Sequence, residues 1–141
     1  MKRTLLFGFL LLLVTSCGGG GPDLAPVSGK ITLDGKPLAD ATVGFYPLGE
    51  HGDVLSSGRT NSNGEYTLKT VKTMQTGAVV GKHRVSITLE PDLTGSDAPA
   101  DKVKAGRPPR LPARYQGLES ELTCDVPSGG KTDANFDLKS K

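Results

Sequence analysis

Tryptophan is absent from this 141-residue chain, and aromatic residues make up only 5% of it. Its hydrophobic core must therefore be mainly aliphatic. The two histidines, His51 and His83, have no close cluster of ligands beside them, whereas zinc sites usually need three or four nitrogen or sulfur ligands. No Gly-x-Ser-x-Gly turn, phosphate-binding loop or His-Glu-x-x-His helix is present. We predict neither a metal nor a cofactor.

No apolar run is long enough to span a bilayer, which takes about 20 residues. The run from Leu5 to Val14 has ten. The run follows Lys2-Arg3 and ends in small residues, which is the order of a secretory signal. The tetrapeptide Val14-Thr15-Ser16-Cys17 resembles the lipobox of bacterial lipoproteins. The resemblance implies cleavage after Ser16, diacylglycerol attachment to the Cys17 sulfur and acylation of the new amino terminus.

A lipid anchor at Cys17 would place the protein in the cell envelope, outside the cytoplasm. Each buried methylene contributes about 0.8 kcal/mol, so two or more acyl chains hold a protein stably on a membrane. No aspartate follows Cys17 directly, which is compatible with transport to an outer membrane, and we favour that membrane over the inner one. The alternative is cleavage nearby by the general signal peptidase, with an incidental cysteine.

The net charge is small, with 17 basic and 15 acidic residues. Cleavage after Ser16 would remove Lys2 and Arg3 and leave the domain neutral. A neutral domain has no electrostatic field that gathers phosphates, so we do not expect nucleic acid as a partner.

Three segments are predicted along the chain. Residues 1–16 form a lipoprotein signal peptide that is removed, and residues 17–26 form a lipid-anchored tether rich in glycine and proline. The tether has little apolar content, and nine flexible residues would hold the domain about 15–18 Å from the lipid. Residues 27–141 have the length of one domain with a modest core.

The pattern within this domain is that of an all-β protein. Apolar and polar residues alternate with period two between turn signals, and two of these signals are Asp34-Gly35 and Asn63-Gly64. No convincing helical period is present. We predict about seven strands in an antiparallel β-sandwich, near residues 27–33, 41–46, 55–60, 65–69, 83–89, 121–126 and 134–138.

Several of these stretches resemble carboxypeptidase regulatory-like domains. Val27–Ile31 (VSGKI) followed by Asp34–Val43 (DGKPLADATV) looks like the start of such a domain. Thr60–Tyr66 (TNSNGEY) is similar to its T-(D/N)-x-(D/N)-G-x-(Y/F) hairpin, and Gly81–Val85 is similar to its PG-x-Y-x-V strand, with His83 at the aromatic position. The resemblance implies a prealbumin-like (transthyretin-like) sandwich. It implies no activity, because a fold does not define a function.

The transthyretin-like hydroxyisourate hydrolases share the fold that the resemblance implies, so we compare the chain with these enzymes. They end in Tyr-Arg-Gly-Ser, whereas this chain ends in Leu138-Lys139-Ser140-Lys141. We therefore exclude that enzyme and predict no catalytic residues.

Three smaller features have two interpretations each. His51 in a glycine-rich loop and His83 on an inward strand face could form a metal or acid–base pair, but we favour a solvated histidine and a hydrogen-bonded one at the core edge. The oxygen donors of Asp53, Asn61, Asn63 and Glu65 could bind calcium, but a hairpin explains Asn63-Gly64 without an ion. Cys124, between Leu122 and Val126, is predicted to be a buried, unpaired thiol.

Two loops are candidates for binding, because loops on a rigid sandwich commonly carry recognition. The segment 91–117 is long for a compact domain, and its second half is basic and rich in proline. This half could contact an anionic surface, although opposite charges within the loop could also neutralise each other. The candidate residues in the two loops are Glu50, His51, Asp53, Lys102, Lys104, Arg107, Arg110 and Arg114.

These observations predict a lipid-anchored, non-enzymatic β-sandwich of the cell envelope with a structural or binding role. The partners expected are the membrane, through Cys17, and an envelope protein or polysaccharide. The alternative is an enzyme or small-ligand carrier with an unrecognised site around His83. The sequence does not predict an oligomeric state.

Overall fold

β-Strands dominate the computed structural model, which describes residues 21–89 and 111–141. Within these ranges there is no α-helix, and the all-β prediction is confirmed. Two short 3-10 turns, Ala113–Tyr115 and Gly117–Glu119, precede the last two strands. The strands are β1 Leu24–Ala25, β2 Ser28–Leu33, β3 Lys36–Pro37, β4 Ala41–Pro47, β5 Ser56–Arg59, β6 Glu65–Thr67, β7 Lys69–Thr70, β8 Ala78–Val79, β9 Gly81–Leu89, β10 Leu122–Val126 and β11 Phe136–Leu138.

Two sheets form the predicted β-sandwich. The large sheet has the order β10-β9-β4-β5-β7, with all neighbours antiparallel. In the small sheet β2 is central, with β11 on one side and β3 and β6 on the other. β11 runs parallel to β2, with Phe136 opposite Ile31, which departs from a purely antiparallel arrangement.

The two predicted turns have the backbone that their residues favour. Asp34 and Gly35 have φ values of 51° and 82°, as a tight two-residue hairpin between β2 and β3 requires. Gly64 has a φ of 76°. A side chain there would also meet the Ile31 carbonyl oxygen at 2.5 Å, so both the conformation and the space require glycine.

The strand predicted over 65–69 is two strands that belong to different sheets. β6 pairs with β2 in the small sheet, and β7 pairs with β5 in the large one. Leu68 lies between them, fully buried, and its amide donates to the Val27 carbonyl. Alternation of side chains continues through this crossing, so the sequence pattern shows one strand where the chain changes sheets.

A described strand lies within the predicted tether, before the predicted start of the domain. Leu24 and Ala25, assigned to the tether 17–26, pair antiparallel with β8, which lies outside the seven predicted strands. Ala25 is buried, and its carbonyl oxygen lies so close to Gly77 that a β-carbon there would be 2.3 Å away. Two-residue strands are too short to show alternation, so the sequence could not reveal this pair.

The core between the sheets is mainly aliphatic, as predicted. Its central aromatic side chain is Phe45, which is fully buried and lies near the rings of His83 and Phe136, at centroid distances of 5.5 and 6.5 Å. The other fully buried large side chains are chiefly Ile31, Leu68, Ile87, Leu138, Val27, Val43, Val85 and Val126.

Candidate functional site

The first predicted binding loop is an exposed turn between β4 and β5. Glu50, His51 and Asp53 are all exposed, and the His51 carbonyl accepts a hydrogen bond from the Val54 amide at 2.9 Å. Asp53 lies 3.7 Å from the Lys72 ammonium group, in a pair that is largely exposed. This turn presents one histidine and two carboxylates to solvent, but its side chains line none of the grooves described below.

The second predicted binding loop is described only at its end. Lys102, Lys104, Arg107 and Arg110 lie outside the described residues, as does Cys17. Arg114 is described, and its guanidinium donates to the carbonyl oxygens of Lys139 (3.4 Å) and Lys141 (2.9 Å). It also lies 4.9 Å from the centroid of the Tyr115 ring. Arg114 therefore binds the residues that follow β11, and the structure does not bring it together with the exposed turn.

His83 lies on an inward face of β9, as predicted, and is 1% exposed. Nδ1 lies 3.0 Å from the Gly81 carbonyl oxygen and donates to it in the matching tautomer. Nε2 is buried without a hydrogen-bond partner among the described residues. Burial disfavours the charged imidazolium and holds the pKa of His83 below its ordinary value. In residues 21–89 and 111–141, no three His, Cys, Asp or Glu side chains group as a metal site would require.

His83 should make the protein less stable as the pH falls. The unfolded chain takes up a proton near pH 6.5, whereas the folded chain resists it, so the free energy of unfolding should decrease from pH 7 toward pH 5. In His83→Phe this part of the decrease should be absent. Urea unfolding of both proteins across this pH range measures it. Parallel pH profiles for the two proteins would contradict the prediction.

Two of the four oxygen donors considered for calcium, Asn61 and Glu65, are hydrogen-bonded within the turn itself. Asn61 Oδ1 accepts from the amides of Asn63 (2.9 Å) and Glu65 (3.0 Å), and Asn61 Nδ2 donates to Glu65 Oε2 at 3.2 Å. The Gly64 amide closes the turn onto the Asn61 carbonyl. These contacts account for the Asn61–Glu65 turn without an ion.

A polar groove with a volume of about 710 Å³ lies on the small sheet. Its floor is the outer side of β2 and β6, where Lys30 lies opposite Glu65. Arg59 of the large sheet borders it, paired with Asp40 at 3.3 Å. The other polar residues that line this groove are Ser28, Asn61, Thr67, Thr132 and Asn135.

Hydrogen bonds hold the walls of the polar groove in place. Asn135 Oδ1 accepts from the Lys30 amide at 2.8 Å, and the Tyr66 hydroxyl donates to the Ala134 carbonyl at 2.6 Å. Burial strongly raises the pKa of Tyr66, so its hydroxyl remains neutral and cannot serve as a base near pH 7. Neither histidine lines this groove. The arrangement provides hydroxyl, amide, ammonium and carboxylate groups, which suit binding of a polar partner.

Sequence reasoning did not find the polar groove. Alternation alone places Ser28 and Lys30 on one face of β2, and Glu65 and Thr67 on one face of β6. It does not give the register that puts Lys30 opposite Glu65, nor does it bring Asn135, 105 residues further along the chain, against Lys30.

Comparisons with known proteins give no family. No family model matches the chain, and no curated protein matches it. Its fold is similar to the crystal structure of a DUF3823 family protein from Parabacteroides merdae, with 14% identity and a TM-score of 0.48. The match covers 84% of this chain and 47% of that protein, so this chain spans about half its length. The part of this chain that is described contains no helix long and apolar enough to span a membrane.

Proposed function

We propose that this protein is a lipid-anchored, non-enzymatic module of the cell envelope that binds a protein or glycan partner. The anchor is Cys17, within the lipobox-like tetrapeptide Val14–Cys17. The outer membrane is the membrane we favour.

The observation that carries this proposal is the position of the first described strand. β1 starts at Leu24, seven residues after Cys17, and is fixed to β8 by antiparallel pairing. A chain of seven residues spans at most about 25 Å. An anchor at Cys17 would therefore keep the sandwich within that distance of the lipid, as suits a module that acts at a membrane surface.

The polar groove is the surface we propose for the partner. It combines a volume of about 710 Å³ with hydrogen-bonding groups held in place by Asn135 and Tyr66. The exposed turn carrying Glu50, His51 and Asp53 is a second contact surface. Both belong to a rigid β-scaffold, which commonly carries recognition on its loops and edges.

We further propose that the domain is of the carboxypeptidase regulatory-like type. The resemblance of Thr60–Tyr66 is supported by the turn that these residues form, with Asn61 bonded to the amides of Asn63 and Glu65. The tight turn at Asp34-Gly35 supports the resemblance of the first motif.

A site around His83 is the alternative, and its burial weighs against it. The imidazole is 1% exposed and packs beside Phe45, so a substrate could reach it only if the core opened. His83→Phe therefore also separates the two interpretations, because a binding module should keep its partner in this variant.

Cys17→Ser should abolish lipid attachment, because serine lacks the sulfur to which diacylglycerol would be attached. Mass spectrometry of the protein from intact cells should find the amino-terminal peptide carrying acyl chains at Cys17 in the wild type. In the variant, this modification and the partition of the protein into detergent should both be lost.

Cys124→Ser is the matched control, because it removes the other cysteine of the chain. Its lipid attachment and membrane fraction should equal those of the wild type. An unmodified Cys17, with the amino terminus elsewhere, would contradict the anchor.

Binding at the polar groove is tested separately by cross-linking and pull-down from cells. A Lys30→Glu variant should lose the partner while keeping its acylated Cys17. Retention of the partner by this variant would refute the groove as the contact surface.

A further inference from the structure

The direction of the backbone groups in β9 shows which residues of β10 bond to it. The Lys82 carbonyl accepts from the Leu48 amide at 2.9 Å, on the side of β4. Backbone groups alternate in direction along an antiparallel strand, so the next residue, His83, faces β10. His83 lies opposite Cys124 in the register. These two residues therefore exchange the hydrogen bonds of the ladder.

The residues on either side of Cys124 consequently direct their backbone groups away from β9. These are Thr123 and Asp125, and β10 is the outer strand of the large sheet. In the same alternation, the Glu121 amide points outward and donates to the Arg114 carbonyl at 3.0 Å. Pro127, at the other end, has no N–H. Among the described residues, the amides and carbonyls of Thr123 and Asp125 on this edge have no backbone partner, and they are arranged symmetrically about Cys124. The Asp125 carbonyl has one long contact, 3.9 Å, from the Cys124 thiol.

We propose that β10 pairs antiparallel with β10 of a second copy of this chain, about a two-fold axis at Cys124. In this register Thr123 faces Asp125 of the second copy, and Asp125 faces Thr123 of the second copy. The outward amides and carbonyls of both residues are then all hydrogen-bonded. With a two-fold axis at Thr123 instead, only the amide and carbonyl of Thr123 would bond to those of Thr123 in the second copy. An axis at Asp125 would place two carboxylates directly opposite each other, which is destabilising.

The charge on this edge is compatible with the pairing. Asp125 lies opposite Lys82 on the neighbouring strand, so a cation flanks its carboxylate. β10 also lacks the lysine, proline or bulge with which exposed edge strands usually prevent pairing.

A cleft of about 340 Å³ lies between β10 and the segment 131–136, and Cys124, Phe136, Lys131 and Asp133 are among the residues that line it. In the proposed pairing, the inner face of β10 would lie beside the inner face of β10 of the second copy, next to this cleft. Cys124 would then face Cys124 of the copy as a non-hydrogen-bonded pair, with about 4.5 Å between Cα atoms. That distance lies within the range of about 4.4–6.8 Å found in disulfides.

The first test is Thr123→Pro, measured by analytical ultracentrifugation of the detergent-solubilised mature protein. Proline removes an amide that faces away from β9, so the fold should be retained and the dimer should dissociate at least about tenfold more readily. Thr123→Val, which keeps the amide, is the matched control and should dimerise as the wild type does. Circular dichroism and the urea midpoint check that the monomer is folded.

The second test fixes the register by disulfide cross-linking in intact cells with copper phenanthroline as oxidant. The wild type should give a covalent dimer, and Cys124→Ser should give none. In the Cys124→Ser background, Leu122→Cys and Val126→Cys should cross-link with each other when mixed, and neither with itself. The wild-type experiment needs no substitution, so it remains informative if a variant fails to fold.

Several outcomes would overturn the proposal. They are a monomeric wild type with no cross-link at Cys124, a dimer unaffected by Thr123→Pro, or a Leu122→Cys variant that cross-links to itself. A complex with a different protein that is lost in Thr123→Pro, while this chain is otherwise monomeric, would also overturn self-pairing and assign the edge to that protein.

Discussion

Gly29→Ala should destabilise the protein by about 3 kcal/mol or more, because the new methyl group would occupy the space of another backbone. A β-carbon at Gly29 would lie 2.0 Å from the Ala134 carbonyl oxygen and 2.4 Å from its carbon. The segment before β11 would have to move away from β2. The bonds from the Tyr66 hydroxyl to Ala134 and from the Lys30 amide to Asn135 would be lost with it.

Urea unfolding of the protein measures this effect. Gly129→Ala is the control, since a β-carbon there meets nothing within 4 Å and the backbone is not left-handed. Its unfolding midpoint should stay close to that of the wild type. Equal midpoints for the two variants would mean that β2 and the Ala134 segment do not approach each other as described.

Phe45→Ala should cost about 3–5 kcal/mol, the range for truncating a fully buried phenylalanine. Phe45 is 0% exposed and contributes to both aromatic contacts of the core, with His83 and with Phe136. Domains are stable by only about 5–15 kcal/mol, so a substantial fraction of the variant should be unfolded at 37 °C. Thermal unfolding followed by circular dichroism measures the loss.

Tyr46→Ala is the matched control for Phe45→Ala. Tyr46 is the next residue on β4, half-buried on the outer face, where its ring lies over Gly44. Its truncation should cost clearly less. The reverse order of the two effects would mean that β4 is shifted by one residue, which exchanges its inner and outer faces.

Local patterns were sufficient to predict most strands and their inward faces. Ala41, Val43 and Phe45 share a face in the sequence and are fully buried in the structure. His83 was placed inward by the same alternation. These predictions succeed because successive side chains of a strand point to opposite faces of its sheet, whichever strand it pairs with.

Pairing between distant segments was not predictable in this way. Nothing near Phe136 indicates that its strand runs parallel to β2, and nothing near Leu68 indicates that the chain changes sheets there. The burial of Ser86 was not predictable from the local pattern either. This residue occupies an outward position on β9 but is buried, because its hydroxyl accepts from the Gly117 amide of a 3-10 turn.

The polar groove and the free edge of β10 follow from the same distant pairings. Lys30, Glu65 and Asn135 meet only through the register of three strands. The symmetric arrangement of the outward backbone groups about Cys124 depends on which residues of β10 are hydrogen-bonded to β9. The residue types at these positions are ordinary for solvated strands, so composition gives no signal for either surface.

The parallel contact of β11 with β2 affects the order in which the chain folds. The bond from the Lys30 amide to Asn135 joins residues 105 positions apart, and closing so long a loop is slow compared with forming the hairpins. During synthesis the amino-terminal strands emerge first, and β2 keeps one open edge until the last residues arrive. A chain truncated before Phe136 would expose that edge permanently, making it a substrate for chaperones and proteases.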